Sequence, residues 1–477
     1  MITHCLAVAL TLSAAAQGAE PIRALLITGH NNHNWKYTSR VHADTLEATG
    51  RFDVDITDTP EKTLAEGLDG YRVFVLDYND YGSPRRWGPA AEAAFVKAVS
   101  DGAGVVAIHS ADNSFDGWEE YEKMLGLMWR EGTGHGPFHA FDVEWVDAEH
   151  PITKGLPDWK AHPDELYHKL VNVRNSPYHL LARAMSATDK GGTGKHEPMA
   201  YTLTYGKGRV FATPLGHVWT QSPDQVEGRD SQKASIADPM FKSLIARGAE
   251  WAATGGVTLP AAWKDVRAHN TLGPECRDNG WRLLFDGTTT ANWRGFRKDS
   301  FPDKGWAIRD GALVVMGGGG DICTAEEYGD FEFECEWRVS PGGNSGIMYR
   351  CSEDHTYPWE TGPEYQILDD ARHKDGQKAK TRAGSLYDVV APGADVVRPA
   401  GEWNRARIVA RGTRLQHYLN DILIVDIDTA GDVYKAAHAA SKWPGMKNYN
   451  TKSKGRICLQ DHGDEVAFRN IKVKHLD

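Results

Sequence analysis

The chain has 477 residues, 41% of them apolar, with 65 acidic against 54 basic side chains and a formal charge of −11. That length exceeds one ordinary core and predicts two or three domains. The acidic balance, with no basic run, argues against nucleic acid as a partner. Beyond the N-terminal segment no stretch offers the ~20 continuous apolar residues of a membrane span.

Leu6 to Ala16 is apolar, and Ala16-Gln17-Gly18 supplies a small-x-small cleavage site. This predicts an export signal over 1–18 and a periplasmic or secreted destination. No Lys or Arg precedes the apolar stretch, so a buried N-terminal helix or strand is the alternative. Five cysteines follow, at 276, 323, 335, 351 and 458, with no C-x-x-C spacing. Neither a metal knot nor a disulfide scaffold is expected. Cys335 and Cys351 are read as free core thiols, with a hairpin disulfide as the alternative.

From residue 22 to 255, apolar strand-like runs alternate with helix-like stretches. The runs are Arg23 to Thr28, Val73 to Leu76, Gly104 to Ile108 and Arg209 to Thr213; the helical stretches are Ser39 to Thr49, Pro89 to Ser100 and Asp238 to Ala253. Apolar strands separated by amphipathic helices predict a parallel sheet covered on both faces. Ligands of such sheets bind beyond the carboxyl ends of the strands. Those ends deliver His30, Asp77, His109 and His217.

The segments Gly29-His30-Asn31-Asn32-His33, Gly104 to Ser110, His150-Pro151, Asp164-Glu165-Leu166-Tyr167, Tyr205 to Val210 and Gly216-His217 together resemble the trehalose-utilisation (ThuA-like) family. The resemblance implies a glutamine-amidotransferase-like (flavodoxin-like) α/β fold acting in disaccharide metabolism. The nucleophilic Cys of a true amidotransferase is missing: the comparable turn reads Ile108-His109-Ser110-Ala111. Thiolate chemistry is therefore excluded. Ser110 with His109 as base is disfavoured, because adjacent strand residues point apart. His30, His33, His109, Glu165 and His217 are candidates for sugar binding and proton transfer. His30, His109 and His217 are candidate ligands of a divalent metal. Hydrogen bonding of loops over the sheet is the alternative for all five. No cofactor other than such a metal is expected.

Residues 256–279 read as a linker, and from 280 to 477 the rhythm changes. Phe331 to Arg338 alternates apolar and charged residues almost ideally, as Glu364 to Leu368 and Ala406 to Ala410 also do. Turn signals recur at Asp286-Gly287, Asp310-Gly311 and Pro341-Gly342-Gly343-Asn344. Many short strands with one polar face predict an all-β sandwich of jelly-roll type.

The segments Gly280-Trp281, Leu284-Phe285-Asp286-Gly287, Glu336-Trp337-Arg338, Gly343 to Ile347, Arg350, Glu364, Gln366, Asp369, Trp403-Asn404, Gln460 to Gly463 and Phe468 to Ile471 resemble the 3-keto-disaccharide hydrolase family, from Gly280 to Leu476. The resemblance implies a concanavalin-like sandwich that cleaves glycosides oxidised at C3, so the expected partner is a 3-keto di- or oligosaccharide or glycoside. A C3 ketone acidifies the C2 hydrogen. Such a site therefore needs a base, a group that stabilises the enolate oxygen, and an acid for the leaving oxygen, where an ordinary glycosidase uses two opposed carboxylates.

Alternation places Glu336 with Arg338, Asn344 with Arg350, Glu364 with Gln366, and Gln460 with His462. These are expected to converge on the concave side. Glu364 is the first candidate base and His462 the second; Arg350 or Arg338 would stabilise the enolate, and Glu336 completes the catalytic set. Asn344, Gln366, Asp369 and Gln460 would grip hydroxyls. Glu336 and Arg338 also fit a strand-face ion pair. Two other readings stand: a non-catalytic glycan-binding protein, and a metal-dependent sugar hydrolase centred on the first domain's histidines.

Overall fold

The computed structural model describes residues 20–219 and 229–476. The expected export signal, 1–18, lies outside them. Among the described residues no helix is long and apolar enough to cross a membrane. Two compact units divide the chain: residues up to 219 with 230–267, and residues from 268 onward.

The first unit is a nine-stranded mixed sheet. Phe52–Thr57, Ile22–Ile27, Val73–Leu76, Gly104–Ile108 and Gly208–Thr213 run parallel in that spatial order. The sheet then continues antiparallel through His196–Tyr205, His179–Met185, His139–Trp145 and Trp159–Asp164. That second half departs from the all-parallel expectation. Its cause is local: Gly206-Lys207 joins paired Tyr205 and Gly208, and with Gly206 at φ +57° this two-residue turn reverses the chain.

On one face Leu25, Phe74, Val105 and Val210 pack with Phe95 and Val99 of the helix Pro89–Asp101. The helix Pro239–Thr254 lies against the other face. It starts on Asp238, whose carboxylate accepts the Met240 N–H, and stops at left-handed Gly255. It sits close because a Cβ on Gly248 would come within 2.4 Å of the Phe211 ring. Residues 256–267 stay with this unit: Glu250 accepts the N–H groups of Thr258 and Leu259, and the Trp263 indole donates to the Thr45 carbonyl.

The second unit is two antiparallel sheets. The larger runs Trp306–Arg309, Ala312–Val315, Val466–His475, Phe331–Val339, Asn404–Arg411, Arg414–Leu419 and Ile422–Asp428, with Arg282–Leu283 added on Val466–His475. The smaller runs Trp293–Gly295, Ile322–Thr324, Arg456–Leu459, Asn344–Cys351 and Glu364–Leu368. Buried side chains cross between them. The Tyr349 hydroxyl lies 2.9 Å from His417 Nε2, and the Tyr365 hydroxyl donates to the Tyr418 carbonyl at 3.1 Å. Since Tyr349 and Tyr365 face inward, their strand neighbours Met348, Glu364 and Gln366 face outward from the smaller sheet. All five described cysteines are free thiols, and Cys335 and Cys351 belong to different sheets.

Candidate functional site

In the first unit the carboxyl edge of the parallel strands collects imidazoles. His109 follows Ile108 directly at φ +49°, turning the chain sharply off its strand. His33 lies in the loop after the first strand, and His217 in the loop after Gly208–Thr213. His109 Nε2 is 3.3 Å from His33 Nε2 and 3.3 Å from His217 Nδ1. Among the described residues, these three form the group whose donor atoms converge enough to hold a cation. Burial, then the neighbouring imidazoles, pushes His33 well below the usual imidazole range; burial, then His217, lowers His109 to about 4.

The strand end Asp164 to Tyr167 supports this cluster from two sides. The Asp164 carboxylate accepts the N–H groups of Gly216 and His217 at 2.7 and 3.1 Å and the Ser235 hydroxyl at 2.6 Å. It also lies 3.1 Å from His162 Nε2. Burial opposes charge on both groups, yet the contacts with Asp164 and Asp238 raise His162 and the contact with His162 lowers Asp164, so they sit as an ion pair. Glu165 Oε2 is 3.1 Å from His217 Nδ1 and 3.4 Å from His135 Nδ1. The Tyr167 hydroxyl is 2.9 Å from His109 Nε2.

One expectation is corrected here. His30 is not part of the cluster: its Nδ1 donates to the Asn79 carbonyl at 2.6 Å, and His33 takes the expected place. Two loop residues, Asn31 and Asn32, separate the two histidines, and only the loop's path decides which one turns inward. Ser110 donates to Asn31 Oδ1 at 3.3 Å rather than to His109.

The second unit's candidates separate into two groups. Glu364, Gln366 and Asn344 lie on the outward face of the smaller sheet. Gln366 Nε2 donates to Asn344 Oδ1 at 3.1 Å, and Asn344 Nδ2 stands 3.5 Å from His462 Nε2. His462 is 49% exposed and reaches back toward Asp464 at 3.7 Å. Glu364 is only 4% exposed and Gln366 1%. Gly346 makes room for the acid, since a Cβ there would lie 2.1 Å from Glu364 Oε1. The carboxyl of Glu364 is pushed up to about 8 by burial, offset by the Lys442 ammonium and reinforced by Asp321. Gln366 Oε1 is a buried acceptor with no donor among the described residues. Gln460 continues this row: its N–H donates to the Gly346 carbonyl, and its carbonyl accepts from the Ser345 hydroxyl.

Arg350, Glu336, Arg338 and Asp369 lie elsewhere. Arg350 sits at φ +53° within a register shift between Met348 and Cys351. That bulge inverts the alternation, so Met348 and Cys351 share one cluster and Arg350 turns away. Its guanidinium donates to the Gly329 and Gly412 carbonyls and to Asp330 at 3.0, 2.7 and 3.0 Å. Glu336 is one rung of a cross-strand charge ladder on the larger sheet. Arg469 pairs with Glu336, Lys472 with Glu334 and Lys474 with Glu332, all within 3.2 Å. Arg338 lies over the Trp403 ring at 4.8 Å. Asp369 accepts the Gly342 N–H at 2.6 Å and ties a hairpin turn to a strand end.

Two groups went unread in the sequence. Asp321 is raised to about 6, mainly by burial, and its Oδ1 accepts the Asp461 N–H at 2.9 Å. Asp461 in turn accepts the N–H groups of Gly319 and Gly320 at 2.7 and 2.9 Å, clamping two loops. The run Gly317 to Gly320 before Asp321 was the available signal. Lys442, whose ammonium lies 4.2 and 4.4 Å from the Tyr387 and Trp443 rings, carried no pattern at all.

Comparison with known proteins follows the same division. Residues 280–474 match the 3-keto-alpha-glucoside-1,2-lyase-like domain family, and residues 23–252 match the trehalose-utilisation family. A protein of Bacteroides thetaiotaomicron named 3-keto-disaccharide hydrolase is 36% identical over 235 residues, which span 42% of this chain and 79% of that protein. Among solved structures, a candidate glycosyl hydrolase from Parabacteroides distasonis is 32% identical, with 44% of this chain and 100% of that chain covered and a TM-score of 0.42. A candidate ThuA-like protein from Parabacteroides merdae is 34% identical, with 50% and 93% covered and a TM-score of 0.44.

Proposed function

The chain belongs to the 3-keto-disaccharide hydrolase family, and from that premise we propose that its C-terminal unit cleaves 3-keto-glycosides by elimination followed by hydration. Glu364 takes the proton from C2, whose acidity comes from the C3 ketone. The electron pair moves toward the C3 oxygen, giving an enolate. Collapse of the enolate expels the C1 oxygen, which leaves with a proton as the free alcohol. Water then adds at C1, a proton returns to C2, and the net result is hydrolysis.

The carrying observation is Glu364 itself, a buried carboxyl raised to about 8 beside polar side chains. A base with a raised pKa is better matched to a carbon acid than an ordinary carboxylate. The role first expected of Arg350 or Arg338 passes to Lys442, whose ammonium acts on the Glu364 carboxyl through space. Asn344 and Gln366 hold substrate hydroxyls, and the orphan Gln366 Oε1 suits a hydroxyl donor. His462, half-exposed, supplies the proton to the leaving oxygen. We assign the sandwich to the jelly-roll, concanavalin-like type and the α/β unit to the flavodoxin-like type.

The test is turnover of a 3-keto-glucoside in D2O. Deuterium at C2 of the released sugar, together with loss of turnover in Glu364→Gln, supports the mechanism. Cleavage without C2 exchange overturns it. Binding of the 3-keto-glucoside with no turnover in the parent protein makes this unit a glycan binder instead.

A further inference from the structure

In the imidazole cluster of the first unit, hydrogen bonds fix the tautomers of His109 and His33. His109 Nδ1 lies 2.7 Å from the Pro214 carbonyl oxygen. A carbonyl can only accept, so Nδ1 carries the hydrogen and Nε2 the lone pair. His33 Nδ1 lies 3.0 Å from Asn31 Oδ1, an oxygen that also takes the His33 N–H at 3.0 Å and the Ser110 hydroxyl at 3.3 Å. His33 Nε2 therefore also presents a lone pair. These two lone pairs face each other at 3.3 Å in a buried site. Facing acceptors repel; the Tyr167 hydroxyl, 2.9 Å from His109 Nε2, can donate to one of them, whereas a cation between them satisfies both.

The spacing identifies the cation. Two nitrogens at about 2.0–2.1 Å from a zinc ion, under a tetrahedral angle, stand roughly 3.3–3.4 Å apart. His33 Nε2 to His109 Nε2 and His109 Nε2 to His217 Nδ1 are both 3.3 Å, and all three donors lie within 4.8 Å of one another. The backs of the rings are held as metal-binding histidines require, by the Pro214 carbonyl and by Asn31. Three imidazole donors favour zinc-class ions over magnesium or calcium, which take oxygen ligands.

We propose that His33, His109 and His217 bind one zinc-class divalent ion, with the fourth position open to the oxygens of a carbohydrate. Glu165 Oε2 and the Tyr167 hydroxyl border that position, at 3.1 Å from His217 Nδ1 and 2.9 Å from His109 Nε2. Trp219, 45% exposed, stacks on the His217 ring at 5.9 Å and 9° and meets the His33 ring edge-on at 5.2 Å. A flat, solvent-facing indole beside an open coordination position suits a sugar ring whose vicinal oxygens reach the ion. This inference stands on the first unit alone and does not depend on Glu364.

The experiment uses the full-length protein, stripped with a chelator, dialysed and titrated with Zn²⁺ by calorimetry, with metal content read by mass spectrometry. One ion per chain is expected. Co²⁺ loading should give the intense visible absorption of a tetrahedral site. His33→Ala and His217→Asn should each weaken binding about 100-fold or more. His30→Ala should bind as the parent does, because its ring is committed to Asn79. Vicinal-diol sugars added to the Co²⁺ form should shift its spectrum, and a Trp219→Ala variant should weaken that shift while keeping the ion. Circular dichroism checks that each variant is folded; where one is not, the stripped parent decides alone. A folded parent that takes up no stoichiometric ion, or His33→Ala binding zinc as tightly as the parent, overturns the proposal. A spectrum indifferent to sugars overturns the assignment of the open position.

Discussion

The two units place their polar groups by different rules. In the α/β unit, functional side chains sit just past strand ends, where every parallel strand delivers its loop to the same edge. Strand ends pointed to His109 and His217 in the cluster, and also to His30 outside it; Glu165 came with the segment that resembles the trehalose-utilisation family. In the β-sandwich, candidates lie along strands, and their face depends on strict alternation from one end to the other. One bulge at Arg350 inverts that alternation. Strand-end sites therefore tolerate local irregularity, whereas strand-face sites do not.

The sharpest break in this comparison is Glu364→Gln. It should lower 3-keto-glucoside cleavage by about 10²–10⁴-fold, the usual range for a general base, and leave zinc uptake by the first unit unchanged. The converse variant, His109→Ala, should abolish metal uptake and leave C2 exchange intact. Equal loss of both properties in either variant would show that the units do not work separately.

Gly346→Ala comes next. Its Cβ would collide with the Glu364 carboxyl, so turnover should fall about tenfold or more, with overpacking costing about 1–3 kcal/mol in a denaturant melt. An unaffected rate would mean the carboxyl position does not matter.

Arg350→Met separates structure from catalysis. It strips hydrogen bonds from two carbonyls and from Asp330, so stability should fall by about 2–4 kcal/mol. The rate of the remaining folded enzyme should stay within a few-fold of the parent. A folded variant with a thousandfold lower rate restores Arg350 to the site.

The pH dependence follows from Glu364, raised from 4.5 to about 8 in the folded state. Below 4.5 both states are protonated and the group costs nothing. Between 4.5 and 8 the unfolded chain releases the proton while the folded chain keeps it, so stability falls as pH rises, by at most about 1.4 kcal/mol per unit. Above 8 the loss is complete. Glu364→Gln should remove this component from a series of melts, and cleavage by the parent should rise through pH 8 as the base ionises. A rate that falls through pH 8 assigns Glu364 as the acid instead. The smallest effect is expected from Glu336→Gln, a rung of the charge ladder, at about 1 kcal/mol in stability and none in rate.

The amino-acid sequence by itself determined the two rhythms, and with them the parallel core and the sandwich. Apolar periodicity is a local property that burial converts directly into strands and helices. It also marked Glu364, Gln366 and Asn344, because these lie on unbroken alternation. Tertiary structure alone decided that His33 rather than His30 turns inward, that Glu336 is spent on Arg469, and that Asp321 and Lys442 influence the Glu364 carboxyl. Each of those depends on the path of a loop or on a partner more than 40 residues away, and no short-range pattern encodes such a distance.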